Sequence, residues 1–597
     1  KERNIPIKLT IRSGKFCDRC CAKPTNGMIA RSQALHRCIH RAFPMPLFTT
    51  SMRLLGFSLG LFGVVSLAQS TPLQTASGVT ELRIYSINDF HGHLQDRSPT
   101  PAMPRLPDAK TGELKPQPAG GVAYLASVLD GLRRQHPDSV FVAAGDLMGA
   151  SPQMSSLLKD EPTLAALSQM GLAATALGNH DLDAGLTELL RRTRGECPIA
   201  GCAWPDFAGA RFPYLAANMV WADSGQHPLP GHTVVSAGSL HVGIAGAVTR
   251  DTPKVIGPRA VAGLRFEDEA DSLNALVPTL RAKGATVLIA VLHEGAMFDG
   301  AANDPSYACP GLQGRLLDIA KRLDRAYAIL ISGHTHQAYT CKIDGRLAVQ
   351  AGSFGAWLTE STLKLDAQGQ VIEANAVNHP VLQAAYAPNP AFLELVKRSA
   401  ALTEAARNRP IAQLSQGASR HVQAPFGDSP LGNLVADAQL AFAQKRGAAD
   451  IALTNSGGIR ADLVVESERW VTFSEIFAIQ PFGNDLVAIT LSGAQLKQLL
   501  ERQLPKRPGA TSTQVSHSLR YSWSAIEGQD PHIVSITVNN KPLDLHQDYR
   551  VVVNSFMADG GGATGVLRQG RDRQVVGPDV DALVEWLAEN PQALAQA

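Results

Sequence analysis

Asp89-Phe90-His91, Gly145-Asp146, Gly178-Asn179-His180-Asp181, His293-Glu294 and Gly333-His334-Thr335-His336 gather imidazole, carboxylate and amide groups into five short clusters along a chain of 597 residues. Those donor types suit a first-row divalent ion of borderline hardness. No cysteine lies among them, which argues against a structural zinc site. A pair of ions needs one bridging carboxylate, and Asp146, standing alone between two richer clusters, is the natural choice. The others divide into Asp89, His91 and His336 for one ion, and Asn179, His293 and His334 for the second. Two ions a few ångströms apart can activate a water and clamp a phosphoryl group through an in-line displacement.

His180 and Asp183 need not bind metal. A carboxylate three residues after the imidazole can fix its orientation and raise its pKa, favouring the protonated form. An imidazolium beside a phosphoryl group stabilises developing negative charge. Asp183 has a second reading, as a cap at the start of a following helix.

Each cluster follows an apolar run, at 82–87, 140–144, 173–177, 287–292 and 328–331. These runs read as buried strands of an α/β sheet. Every polar cluster then sits at the carboxyl end of a strand, where open α/β sheets place their sites.

In these five motifs, in this order, the chain resembles the calcineurin-like metallophosphoesterase superfamily, and within it the bacterial periplasmic 5'-nucleotidase and UDP-sugar hydrolase family. The resemblance spans roughly 78 to 590. It implies an α/β (α+β) protein with an N-terminal four-layer α/β/β/α metallophosphoesterase domain and a separate C-terminal α/β substrate-binding domain. It also implies two divalent metal ions (Mn, Zn, Mg or Co) and a transition-state role for the His180–Asp183 pair.

The second half carries no comparable ligand set. Asn455-Ser456-Gly457-Gly458-Ile459-Arg460 follows an apolar run, so its glycines permit close backbone approach and Arg460 can meet an anion with a planar fork. Phe482, in Gln480-Pro481-Phe482-Gly483-Asn484, and Phe556, in Asn554-Ser555-Phe556-Met557-Ala558, stand in polar turns. Two phenylalanines are by spacing alone more often core. The resemblance instead makes Phe482 and Phe556 a base-stacking pair, each contact worth about 1–3 kcal/mol. It makes Asn484 a base-contacting amide, and Asn455, Gly458 and Arg460 part of a substrate-binding loop. Arg420, at an irregular spacing, matches a further substrate arginine.

One position departs from the family pattern. Where these enzymes usually read Gly-Gly-Asp-Gly, with the aspartate on the ribose hydroxyls, this chain reads Gly560-Gly561-Gly562-Ala563, and Asp559 falls three positions early. Either ribose is held otherwise or the substrate is not an ordinary 5'-ribonucleotide.

A hydrophobic content of 45% with 18% charged residues describes a globular protein, and the length exceeds one ordinary domain. Residues 1–51 are basic and carry no periodic pattern; 52–68 has the charged start, apolar stretch and small residues of a secretory signal peptide. We therefore expect 1–51 to be upstream or disordered extension, although Met45 is another possible start. Ten Lys or Arg against Glu2 and Asp18 give 1–51 a charge of about +8; with these and Arg53 removed, the whole-chain +2 becomes about −7. A mildly acidic mature protein is a poor ligand for nucleic-acid polymers.

Cys17, Cys20, Cys21 and Cys38 lie in the upstream stretch with His36 and His40, a conceivable zinc cluster. Cys197, Cys202, Cys309 and Cys341 form an even set, expected as Cys197–Cys202 and Cys309–Cys341 disulfides in an oxidising space, with reduced thiols the other reading.

The domains expected are 78–375 for metal binding, 380–408 for a proline-rich linker and hinge helix, and 409–590 for substrate binding. The resulting expectation is a periplasmic or secreted monomer with no membrane span after signal cleavage, hydrolysing 5'-nucleotides, with nucleotide sugars as further candidate substrates. A 2',3'-cyclic nucleotide phosphodiesterase with 3'-nucleotidase activity and a non-catalytic nucleotide-binding protein are the alternatives.

Overall fold

The computed structural model describes residues 79–95, 104–107, 113–257, 259–421, 428–447, 449–504, 513–524 and 531–592. The 1–51 extension, the 52–68 segment and Cys17, Cys20, Cys21 and Cys38 lie outside them.

Strands in the first half alternate apolar side chains between two faces, and both faces are covered. The strands are β1 (Thr80–Ile87), β2 (Ser139–Ala143), β3 (Ala174–Ala176), β4 (Tyr214–Leu215), β5 (His232–Ala237), β6 (Leu240–Val248), β7 (Val287–His293), β8 (Tyr327–Ser332), β9 (Ala338–Ile343), β10 (Arg346–Ala351), β11 (Trp357–Leu365) and β12 (Val371–Pro380). They build two six-stranded sheets, ordered β12-β11-β1-β2-β3-β4 and β9-β10-β8-β7-β6-β5. The central neighbours run parallel, with Ile87 beside Ala143 and Leu292 beside Ser332.

Val287, Ile289 and Val291 of β7 enter the layer between the sheets with Leu82 and Ile84 of β1. Their alternates Leu288, Ala290 and Leu292 pack outward beneath α4 (Glu269–Asn274), α5 (Val277–Ala282) and α6 (Arg315–Arg322). On the opposite side Tyr85 and Ile87 pack beneath α1 (Val122–Gln135), α2 (Glu161–Gln169) and α3 (Leu186–Arg194). The result is a four-layer α/β/β/α sandwich. A strand with two covered faces must be apolar at every position, which explains the unbroken runs.

β12 continues its antiparallel pairing with β11 as far as Pro380 opposite Trp357. Proline is tolerated there because β12 is an edge strand. Asn389 then caps α7 (Pro390–Arg407), its side chain accepting from the Ala391 N–H, and Phe392, Leu395 and Val396 of α7 are buried in the core over the first sheet.

The second half holds α8 (Pro430–Gln444), β13 (Ile451–Thr454), α9 (Phe473–Ile479), β14 (Asp485–Ser492), β15 (Gln514–Val515), β16 (Asp548–Asn554), β17 (Arg571–Pro578) and α10 (Asp579–Glu589). Its five-stranded mixed sheet is ordered β15-β13-β16-β14-β17, with β13 and β16 parallel at the centre. The described residues form one compact unit. Among the described residues no helix is long and apolar enough to cross a membrane. Disulfides join Cys197 to Cys202 and Cys309 to Cys341, the pairing expected.

Candidate dinuclear metal centre

The parallel register of β1 and β2 delivers their loops side by side. The Asp89 N–H donates to the Gly145 carbonyl at 3.0 Å and the His91 N–H to the Asp146 carbonyl at 2.9 Å. The pairing of β7 with β8 likewise sets His293 next to Gly333, and the His334 N–H donates to the Asp89 carboxylate at 2.9 Å, joining the two sheets. Asp89, His91, Asp146, His334 and His336 all have left-handed backbones, with φ between 47° and 71°. Such conformations are costly for non-glycine residues and gather at functional sites. Gly178 is required by close approach, since a Cβ there would run into the Asp146 backbone nitrogen and carboxylate.

Two ligand groups converge, Asp89 with His91 and His336, and Asp146 with His293 and His334. Asp146 Oδ2 lies 3.1 Å from His293 Nε2 and 3.6 Å from His91 Nε2, so its carboxylate faces both groups. Asn179 Oδ1 is 3.0 Å from His293 Nε2, in the second group.

The residues fit a pair of cations on chemical grounds. His91 Nδ1 lies 2.8 Å from the Gly149 carbonyl and His293 Nδ1 2.7 Å from the Ala144 carbonyl. A carbonyl only accepts, so each Nδ1 carries a proton and a neutral ring turns its Nε2 lone pair inward. His91 Nε2 then faces His336 Nε2 at 3.3 Å, and His293 Nε2 faces two oxygens. Opposed lone pairs between buried carboxylates call for positive charge, and backbone bonds on the far nitrogen are how metal-binding histidines are oriented. The electrostatics agree. Burial works against the Asp146 carboxylate, yet His293 and His180 hold it well below the usual range. Burial opposes charge on His293, yet Asp146 outweighs it and pushes His293 up to about 10, so that with no cation beside Asp146 the ring takes a second proton on Nε2 and supplies the positive charge itself.

His180 stands at the edge of this centre. Its N–H donates to Asp146 Oδ1 at 2.8 Å, and its Nδ1 lies 3.0 Å from both Asp183 carboxylate oxygens. Burial lowers its pKa, but Asp183 and Asp146 outweigh that and the net direction is upward. Asp183 caps no helix, since α3 begins after Gly185 with no side-chain cap.

Three residues of the second half reach this place. The Phe482 ring stacks on His180 with centroids 5.5 Å apart, and the Arg460 guanidinium lies 5.7 Å from the centre of that phenyl ring. Burial and Arg420 lower the Arg460 pKa, while Asp146, Asp183 and Asp89 oppose them, so the two arginines and the metal-site carboxylates share one field. The others lie in the same domain, in contact with its own loops. Asn455 Oδ1 accepts from Asn554 Nδ2 at 2.8 Å, Gly458 lies in a single 3-10 turn, and Asn484 Oδ1 accepts from Ser555 Oγ at 3.1 Å. Phe556 packs against Gly561 and Gly562 and makes no ring contact with Phe482 among the described residues. Asp559 is engaged elsewhere, with Arg573 at 2.6 Å and Arg259 at 3.1 Å.

Several supporting residues escaped the sequence reading. Asp181 accepts from the Asp146, Met148 and Gly178 N–H groups, lashing two metal-bearing loops together. Asn88 Nδ2 donates to Asp89 Oδ2 at 2.7 Å and to the Gly352 carbonyl at 2.6 Å. Both adjoin the motifs, and that adjacency was the available signal. Ser555, beside Phe556, had the same signal, and Phe354 had none.

The fold and site define a dinuclear metal hydrolase built on an α/β/β/α sandwich. The calcineurin-like phosphoesterase model matches residues 82–338, and the 5'-nucleotidase C-terminal domain model matches 410–569. The chain belongs to the calcineurin-like phosphoesterases that carry a 5'-nucleotidase C-terminal domain, a family of metal-dependent phosphoester hydrolases. It is similar to the 5'-nucleotidase precursor from Thermus thermophilus, with 26% identity and a TM-score of 0.68 over 85% of this chain and 96% of that one. Endonuclease YhcR of Bacillus subtilis is 27% identical over 523 residues, 86% of this chain but only 40% of its own length. Cell wall protein Lmo0130 of Listeria monocytogenes is 27% identical over 575 residues, 90% of this chain and 70% of its own.

Proposed function

We propose that the protein is an exported phosphoesterase that hydrolyses 5'-nucleotides to nucleoside and phosphate. The observation that carries this reading is the stacking of Phe482 on His180, which brings a base-binding aromatic of the second domain to the catalytic edge of the metal centre.

Asp89, His91 and His336 hold one divalent ion, and Asn179, His293 and His334 the other, with Asp146 between them. When bound, the ions supply Lewis-acid activation of water and neutralise the phosphoryl oxygens. His180, its Nδ1 proton held by Asp183, stabilises the negative charge that develops on those oxygens. Arg460 and Arg420 draw the phosphate in, each guanidinium offering planar N–H donors to its oxygens. Phe482 and Phe556 stack the base, Asn484 contacts its edge, and Asn455 and Gly458 shape the loop beside the sugar. Ser555 donates to the Asn484 side-chain oxygen and so fixes which way the amide faces.

Residues 78–375 act as the metal domain and 409–590 as the substrate domain, with 380–408 the hinge that carries the substrate in. Two disulfides and the 52–68 segment support an exported protein, which we take to act as a monomer, and the likeness to a cell wall protein is in keeping with export.

Gly562 favours keeping a second reading, a 2',3'-cyclic nucleotide phosphodiesterase with 3'-nucleotidase activity, because no carboxylate stands where the ribose contact is usual. Phosphate release from 5'-AMP, 3'-AMP, 2',3'-cyclic AMP and UDP-glucose by metal-replete protein separates the two. The proposal requires 5'-AMP to give the highest kcat/KM of the four. A higher value for cyclic AMP or 3'-AMP selects the second reading, and no turnover of any substrate leaves a nucleotide-binding protein.

A further inference from the structure

Phe354 lies outside all five motifs, yet it shares their backbone signature, with φ at 59°. A bulky aromatic residue in that region is a genuine outlier, kept only where its surroundings over-determine it. Those surroundings belong to one metal position. The Phe354 N–H donates to the Asp89 carbonyl at 2.7 Å. Its ring meets His336 edge to face, with centroids 5.3 Å apart and planes at 82°, and meets His91 at 5.9 Å and 61°. On the other side His93 stacks on it at 4.0 Å and 21°. All three members of the Asp89, His91 and His336 group are therefore touched by this residue. The histidines of the second group, His293 and His334, pack on each other at 5.1 Å and make no ring contact with Phe354 among the described residues.

Each group has one imidazole aimed by a backbone carbonyl and one, His336 or His334, with no side-chain bond on Nδ1 among the described residues. His91 and His293 each have Nδ1 fixed on a backbone carbonyl. His336, whose side chain is 25% exposed, has no hydrogen bond on Nδ1 among the described residues. Only its Nε2, facing Asp89 Oδ1 at 3.3 Å, has a polar partner, so no backbone bond fixes that ring's rotation, and an edge-to-face aromatic contact is directional enough to do so. From this the geometry points to Phe354 as a positioning residue that orients His336 and His91 and so sets the affinity of one metal position and not the other. This rests on the two-ion reading of the site.

Equilibrium dialysis of metal-free protein against Mn²⁺ tests it, with circular dichroism and thermal melting to establish folding. Wild-type protein takes up two ions. Phe354→Leu weakens one of them by about 10- to 100-fold, the range found when an orienting partner of a metal ligand is lost, and leaves the other unchanged. Phe354→Tyr keeps the ring and restores wild-type binding. Should the Leu variant fail to fold, Phe354→Gly removes the ring while accepting the left-handed backbone, and shows the same one-site loss. A folded variant lacking the ring with both affinities intact, equal weakening of both positions, or failure of the Tyr variant to restore binding overturns the proposal. Wild-type protein that takes up fewer than two ions overturns the site reading itself, and the proposal with it.

Discussion

Phe482 stacks on His180 with centroids 5.5 Å apart and ring planes inclined by 26°, although 302 positions separate them in the chain. The contact couples the two halves: the ring proposed to stack on a base touches the imidazole proposed to act on the phosphoryl group. Replacing Phe482 with Leu should raise KM for 5'-AMP about 10- to 100-fold, in line with the loss of about 1–3 kcal/mol of stacking. Hydrolysis of p-nitrophenyl phosphate, which has no base to stack, should change far less. Equal losses on both substrates contradict a base-binding role.

The His180–Asp183 pair makes a different prediction. His180→Ala should lower kcat on 5'-AMP by about 10²- to 10³-fold, the usual cost of removing one group that stabilises developing negative charge. Mn²⁺ uptake should be unchanged, because neither residue belongs to the ligand groups. Asp183→Asn keeps the ring in place but loses the carboxylate, so its kcat should fall between the two. Loss of metal from either variant places the pair in the ligand shell instead.

Gly562 has φ 62°, a conformation aspartate tolerates better than most residues, and it lies beside Phe556. Gly562→Asp should lower KM for 5'-AMP about 10- to 100-fold if the sugar passes this position, on the scale of about 1.5–3 kcal/mol for a hydrogen bond to a charged group. A dideoxyribose analogue, lacking both hydroxyls, should gain nothing. An equal change for both substrates shows that the sugar lies elsewhere.

Asp579 is buried at the start of α10, its N–H on the Asn484 carbonyl at 2.9 Å, and burial pushes its carboxyl up to about 8. A carboxyl raised on folding is neutral in the native state while the unfolded chain ionises near the ordinary value. The native state is therefore favoured below that ordinary value, and the advantage is lost as pH rises toward about 8. Wild-type protein should lose stability relative to Asp579→Asn between pH 5 and 8, by up to about 1.4 kcal/mol per pH unit. Urea unfolding at the two pH values measures it, and parallel pH dependence in both proteins contradicts it.

The strands were legible because a double sandwich buries both faces, so β7 and β8 had to be largely apolar, with ligands at their carboxyl ends, His293 closing β7 and His334 two residues past β8. The two disulfides were legible from parity and compartment. What the linear text could not show is how the ligands are held. Five of them adopt left-handed backbones that propensity disfavours, and they do so because loops from two sheets are laced together by bonds such as His334 to Asp89. Asp181 looked like the tail of a motif, and two of its three backbone acceptances depend on a loop some thirty residues earlier. Phe354 and Ser555 act only through residues distant in sequence. Pro380 read as the start of a linker, but edge-strand pairing with Trp357 carries β12 through it.

The central claim is that paired ions held around Asp146 are needed to hydrolyse a 5'-nucleotide. Its most direct test is the rate of phosphate release from 5'-AMP as metal-free protein is titrated with Mn²⁺. The structure predicts no release without metal, a plateau once two equivalents are bound, and no release at any metal concentration from Asp146→Asn. Turnover by the metal-free protein, or none after two equivalents are bound, contradicts it.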